Sequence, residues 1–227
     1  MNAREMEALI AEAVRDADLY PSEIPSIDLY LDQITSLVGD RHREGAAHFA
    51  DRELTRTMIN NYSKDGLLSP IKGKKYSKEH ILQMLLVYEM KNTLSIGEIK
   101  RVLQSIYALP DYSSALLERI YLRYLSVKAM DRAQASEAVK LLSDSESLSP
   151  AREEDFLTLI LGLSTLSSYL KTIVQVLLDE RYPVPDEEQE KEDAKRAKAE
   201  QKAEQRAEKR AAKEKKKPLS EGGGQEA

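Results

Sequence analysis

The 227-residue sequence has no cysteine and no tryptophan, and its aromatic residues are 11 Tyr and only 2 Phe. Without cysteine there can be no disulfide scaffold, Cys-ligated zinc, iron–sulfur cluster or thiol nucleophile. Histidine is scarce too, limited to His42, His48 and His80. The six-residue separation of the first two matches neither an i, i+4 pair on a helix nor another standard metal-ligand spacing. His80 falls in the first turn of an expected helix and reads as a surface residue. There is no glycine-rich phosphate loop and no nucleophile elbow. The run Glu153-Glu154-Asp155 is explained by the positive pole of a helix N-terminus. Neither catalysis nor a cofactor is therefore expected. The N-terminal MNAREMEALIAEAVRDADLY carries acids where a secretory signal needs a basic and then an apolar segment, which points to a cytoplasmic location.

Long apolar runs are also lacking. The most apolar stretch is Phe156 to Leu178, and its uncharged part, 156–170, has 15 residues. That is short of the roughly 18–20 a membrane span needs, and Lys171 and Gln175 interrupt the rest. A buried or dimer-forming helix is expected, with no membrane contact. Residues 186–217 contain no Ile, Leu, Val, Met or aromatic side chain, so they have nothing to bury. Like charges recur there with period four (Lys198, Lys202, Arg206, Arg210; Glu200, Glu204, Glu208), which weakens a helix. The expectation for 186–227 is a charged tail, disordered or frayed-helical.

What is present is charge, unevenly distributed. The formal net charge of −5 argues against a nucleic-acid partner when taken whole. Residues 1–51 hold 4 basic and 11 acidic side chains, and 52–78 hold 7 and 2. Residues 79–185 hold 11 and 14, and 186–227 hold 12 of each. A window of net +5 thus sits behind an acidic leader of −7.

The patterning is mainly helical. Met6, Leu9, Ile10, Ala13 and Val14 predict a first amphipathic helix over 3–18. After Pro21 and Pro25, Ser26 is placed to cap a second helix carrying Ile27, Leu31, Ile34 and Val38 and ending near Gly39. A polar loop is expected over 39–51. Thr55 is a candidate N-cap for a third helix, with Met58, Ile59 and Tyr62 on its apolar side and Asp65-Gly66 as its stop. Its other side presents Arg56, Thr57, Asn60, Asn61 and Lys64, hydrogen-bonding residues without an acid. In the stretch Ile71 to Tyr76, Gly73 suits the tip of a tight two-strand wing. Ser77 is placed to cap a helix bearing Ile81, Met84, Leu85 and Tyr88. Ser95 and Glu98 form a capping box for another helix, with Ile99, Val102 and Leu103. Beyond Pro110, helices are expected over 112–142 and 150–181, with Pro150 in the first turn of the second.

A helix with an apolar back and an Arg/Thr/Asn/Asn/Lys front suits major-groove reading. Asn can pair bidentately with adenine, Arg can do so with guanine, and Thr and Lys can fix the helix to phosphates. Lys72, Lys74 and Lys75 in the following wing would lie over neighbouring phosphates.

The run from Leu54 to Leu103 resembles the MerR family of winged helix-turn-helix DNA-binding domains. The matching features are Asp65-Gly66-Leu67-Leu68, Pro70, Tyr76 and Leu94-Ser95-Ile96-Gly97-Glu98-Ile99. Ile24 to Val38 is similar, more narrowly, to the bacterial group known as domain of unknown function 1836, itself regarded as MerR-like. The resemblance implies a transcriptional regulator that binds double-stranded DNA as a homodimer. It adds Tyr62 and Tyr76 to the contact residues Arg56, Thr57, Asn60, Asn61, Lys64, Lys72, Lys74 and Lys75. Asn60 and Asn61 stand where the family usually has Arg and Tyr, and the wing lacks the usual arginine after its tyrosine.

The expected architecture is thus mainly α. An N-terminal helix (1–23) precedes a MerR-like winged helix-turn-helix domain (24–106). A helical dimerisation or effector domain (110–183) and the charged tail (186–227) follow. The alternative is an interaction adaptor whose basic winged-helix face holds an acidic partner.

Overall fold

The structure is a computed structural model that describes residues 1–45, 54–71 and 73–184. His48, Lys72 and the expected tail lie outside them. Seven α-helices and two short strands occur among the described residues. In chain order they are α1 (Ala3–Ala13), β1 (Leu29–Tyr30), α2 (Leu31–His42), α3 (Arg56–Lys64), β2 (Lys75–Tyr76), α4 (Lys78–Met90), α5 (Ile96–Tyr107), α6 (Ser114–Ser145) and α7 (Glu153–Arg181). Met1–Tyr182 form one compact unit.

At its centre lies α4. Ile81, Leu82, Gln83, Met84, Leu85, Val87 and Tyr88 are all buried, so nearly every side of this helix is covered. Ile34 and Val38 of α2, Ile59 and Tyr62 of α3 and Ile99 and Leu103 of α5 belong to the same core. Leu117, Tyr121 and Leu125 of α6 extend that core past Pro110 without a break.

Several local features follow the sequence reading. Ser95 and Glu98 form the reciprocal box, the Ser95 N–H donating to Glu98 Oε2 at 2.6 Å and the Glu98 N–H to Ser95 Oγ at 3.3 Å. At the start of α4 the partner of Ser77 is His80, whose Nδ1 lies 3.1 Å from the Ser77 amide, so His80 is a half-buried cap and not a surface residue.

Others differ for identifiable reasons. The first helix stops at Ala13 because Asp16 and Asp18 turn inward to basic side chains on α6. The second begins at Leu31, not Ser26, because Leu29 and Tyr30 are drawn into a strand, which leaves Ile27 exposed. It also runs past Gly39 to His42. The segment before Tyr76 is no self-contained two-strand wing among the described residues. β2 pairs antiparallel with β1 instead, Leu29 opposite Tyr76 and Tyr30 opposite Lys75. Gly73 does adopt positive φ, 75°. Pro150 precedes the last helix, because Asp155 folds back to accept the Ser149 N–H at 2.8 Å and Arg152 becomes the N-cap.

Of the two expectations for Phe156–Leu178, a buried or a dimer-forming helix, the first fails. Only Asp155, Leu159 and Leu178 of α7 are buried, and every residue from 164 to 174 is exposed. By length and composition α7 could cross a membrane. Near its start it packs on α6, where Gly162 permits a close approach; a Cβ there would meet Leu142 Cδ2 at 2.6 Å. Near its end Arg101 of α5 holds Asp179 at 2.8 Å, and Gln175 donates to Glu98 at 3.3 Å.

A cluster of ion pairs fastens the N-terminal segment to the body. Lys128 Nζ lies 2.6 Å from Asp16, 2.9 Å from Asp18 and 2.9 Å from Glu89. Arg132 pairs with both aspartates. Burial pushes the Asp16 carboxyl up, but Lys128 and Arg132 outweigh it and hold the group below its ordinary range. Burial likewise pulls the Lys128 ammonium down, and the surrounding carboxylates more than reverse it. A folded-state pKa below the unfolded one contributes stability above about pH 4 that is lost as pH falls through the folded value. Replacing Lys128 with Met leaves partly buried carboxylates short of a cation and is expected to cost about 3 kcal/mol at pH 7. With Lys128 gone, Asp16 takes up a proton more readily in the folded state. The deficit, followed by urea unfolding, therefore shrinks between pH 7 and pH 5; a deficit independent of pH contradicts this account.

Candidate nucleic-acid interface

The reading face is built from the caps of α3 inward. Thr55 is the N-cap and its hydroxyl accepts the Met58 N–H at 3.2 Å. At the other end the Leu67 N–H donates to the Tyr62 carbonyl at 2.9 Å and the Gly66 N–H to Ser63 at 3.2 Å. With Gly66 at φ 71°, this is a Schellman motif, which needs a residue that tolerates the left-handed conformation. Ile59 and Tyr62 face inward, and Leu67 and Leu68 return to the core just past the turn. These anchors fix the rotation of α3 about its axis.

The rotation leaves Arg56, Thr57, Asn60, Asn61 and Lys64 exposed together on one side. An acid does approach this face, from the neighbouring helix: Asp32 of α2 holds Arg56 at 2.6 Å. Both side chains are about two-thirds exposed, so the pair is worth little and can be exchanged for another anion. A cleft of about 340 Å³ opens beside it between α2 and the N-terminus of α3, lined by Thr35, Ser36, Arg43, Thr55 and Arg56 among others. Backbone N–H groups at a helix start, three hydroxyls and two guanidinium groups line it; both guanidinium groups already hold exposed carboxylates, Arg56 with Asp32 and Arg43 with Asp40, which an entering anion would displace. The sequence reading missed Thr35, Ser36 and Arg43. They sit on a different helix from the recognition face, and only the packing of α2 on α3 brings them there.

Lys74 and Lys75 are exposed at the turn before and in β2. Lys75 Nζ stands over the Tyr30 ring, 5.0 Å from its centroid. Tyr30 directly precedes α2, two residues from the Asp32 that holds Arg56. The β1–β2 pairing thus ties the basic turn to the start of α2 and, through it, to α3. Lys72 lies outside the described residues.

The two tyrosines added by the family resemblance are not on this face. Tyr62 is 4% exposed, and burial pushes its phenol pKa up. Tyr76 is 7% exposed and meets the His80 ring edge-on at 6.1 Å. Both are core residues that position the interface; neither can touch a ligand on it.

Gln83, fully buried on α4, went unnoticed in the sequence because it occurs within an apolar stretch. Its Oε1 accepts the Ser69 N–H at 2.9 Å, and its Nε2 donates to Ser69 Oγ at 2.7 Å and to the Tyr112 hydroxyl at 3.1 Å. Tyr112 in turn donates to Glu79 at 2.6 Å, and burial together with that carboxylate pushes its pKa up to about 12. The Tyr107 hydroxyl donates to the Leu67 carbonyl at 3.0 Å. This network holds the turn that leaves α3. Among the described residues no group of three or more His, Asp or Glu side chains could hold a metal. His42, considered above as a ligand, instead stacks at a tilt on Tyr88 with centroids 5.0 Å apart.

No curated protein and no solved structure matches the chain. The family described as a domain of unknown function, DUF1836, matches residues 19–124. That span opens at the buried Leu19 and closes on Tyr124, which packs against the same core. It therefore takes in the exposed face of α3, the β1–β2 pair, all of α4 and α5 and the first turns of α6. This part of the chain is similar to the DUF1836 group.

Proposed function

We propose that this protein is a cytoplasmic, sequence-specific regulator of transcription that binds double-stranded DNA in the manner of a MerR-like winged helix-turn-helix domain. The observation that carries the proposal is the exposed row Arg56, Thr57, Asn60, Asn61 and Lys64 on a helix fixed by caps at both ends and by a buried back. In this reading the two asparagines face base edges. Arg56 exchanges Asp32 for phosphate or guanine, and Lys74 and Lys75 neutralise phosphates alongside.

Expected effects differ by class of contact. Asn60→Ala and Asn61→Ala should each lose about 1–3 kcal/mol of discrimination in gel shifts on a fragment bound by the wild-type protein. Lys74→Ala should weaken specific and non-specific binding alike and lower the salt slope by about one. If all three variants bind as tightly and as selectively as the parent, the assigned face is wrong. Arg56 already holds one carboxylate, so an acidic protein partner is the second reading; it predicts no DNA sequence preference at all.

The regulator acts as a homodimer in this proposal, because the middle of α7 carries an apolar seam that no described residue covers. Phe156, Leu159, Leu163, Leu166, Leu170, Ile173 and Leu177 recur at alternating spacings of three and four, the pattern of a helix that packs along another helix. Leu166, Leu170, Ile173 and Leu177 are between 42% and 65% exposed, more contiguous apolar surface than a lone soluble helix carries. Membrane insertion of α7 would have to bury Lys171 and break the Arg101–Asp179 and Gln175–Glu98 contacts. Light scattering should give twice the chain mass of 25.7 kDa, and Leu170→Glu should reduce it to the monomer value. A monomeric parent, or one that floats with lipid vesicles, contradicts the seam.

A further inference from the structure

Away from the DNA face, α1 and the C-terminal half of α6 enclose a cleft of about 360 Å³. Its volume falls within the range of small-molecule sites. The cleft persists because α1 does not seat itself in the groove. None of its residues is buried, although Met6 and Ile10 line the cleft on its side. Leu148 closes the far end with another apolar surface.

The polar groups of the cleft are unbalanced in a consistent direction. Glu7 on α1 and Glu137 and Asp144 on α6 line it, against one cation among the described residues, Lys140. The last turn of α6, which carries the negative pole of that helix, has no basic residue to offset it. At this end lies Ser143, which lines the cleft, is 8% exposed and has no hydrogen-bond partner for its hydroxyl among the described residues. Other serines of the same helix satisfy themselves. Ser126, Ser136 and Ser145 donate to carbonyl oxygens three or four residues back, at 3.3, 3.4 and 3.3 Å. Ser143 is the most buried of these and makes no such bond. A buried hydroxyl left unpaired costs stability, and a ligand that bonds to it removes that cost.

We propose that this cleft binds a small organic cation, a protonated amine on an apolar body. The hydrocarbon lies against Met6, Ile10 and Leu148. The ammonium sits at the end of α6, donating to Ser143 Oγ and facing Glu7, Glu137 and Asp144. Binding fastens α1 to α6. The chain leaving α1 leads within a few residues to Asp16 and Asp18, which hold Lys128 and Arg132, so the site is joined to the body through that cluster.

Calorimetry on the full chain without DNA tests this independently of the nucleic-acid reading. The probes are 3-phenylpropylamine, 3-phenylpropan-1-ol and 3-phenylpropionate, which share a body and differ in head-group charge. The amine should bind saturably with one molecule per chain, the alcohol more weakly, and the carboxylate not at all. Ser143→Ala removes an unpaired hydroxyl, so the variant should fold at least as stably as the parent while binding the amine about ten-fold more weakly. Glu137→Gln, on the exposed rim, should also weaken the amine and leave the alcohol unchanged. Equal binding of all three probes, no saturable binding of the amine, or undiminished binding by both variants overturns the proposal.

Discussion

The burial of α4 on almost every side is the constraint from which the rest of the structure follows. A helix that puts Ile81, Leu82, Met84, Leu85, Val87 and Tyr88 out of water needs neighbours all around it, and α2, α3, α5 and α6 each contribute core residues to that surround. At roughly 1.5–3 kcal/mol for each large apolar side chain removed from water, these contacts dominate the folding free energy of the module. The one polar group admitted among them, Gln83, is spent on the backbone at Ser69. Core and interface are therefore mechanically one object. The turn that ends α3 is pinned by a side chain from the middle of the central helix, so the exposed row from Arg56 to Lys64 is held at a fixed angle.

Electrostatics divides the molecule in a complementary way. The acidic excess of the leader does not simply repel an anionic partner, since much of it is used internally. Asp16 and Asp18 neutralise Lys128 and Arg132, and Glu23 pairs with Arg41. Several cations of the window 52–78 remain directed to solvent, and among the described residues the only acid paired with one of them on the α3 face is the exposed Asp32. The net charge of −5 averages over both uses. What matters for a partner is the part of the charge that the fold leaves unspent.

Local chemistry was legible in the sequence wherever it is decided within a few residues. The Thr55 cap, the Asp65-Gly66 stop, the Ser95–Glu98 box and the positive φ of Gly73 all concern groups within one turn of each other. The misreadings share the opposite property. Nothing in Leu29-Tyr30 reveals that its partner is Lys75-Tyr76, more than forty residues later, and the start of the second helix depends on that pairing. Tyr62 and Tyr76 looked like contact residues by resemblance, but each occupies the inward position of its element. Gln83, Lys128, Thr35 and Arg43 acquire their roles only when separate helices pack. The apolar character of α7 was clear, yet what covers it is not determined by the chain's own core.

The central claim is that the exposed face of α3 reads DNA sequence. Selection of bound fragments from a random double-stranded pool by the full chain tests it most directly. The account predicts an enriched site whose two halves are related by a two-fold axis, with the enrichment lost when Asn60 and Asn61 are both replaced by alanine. Recovery of fragments with no shared sequence, or the same enriched site from the double variant, would contradict it.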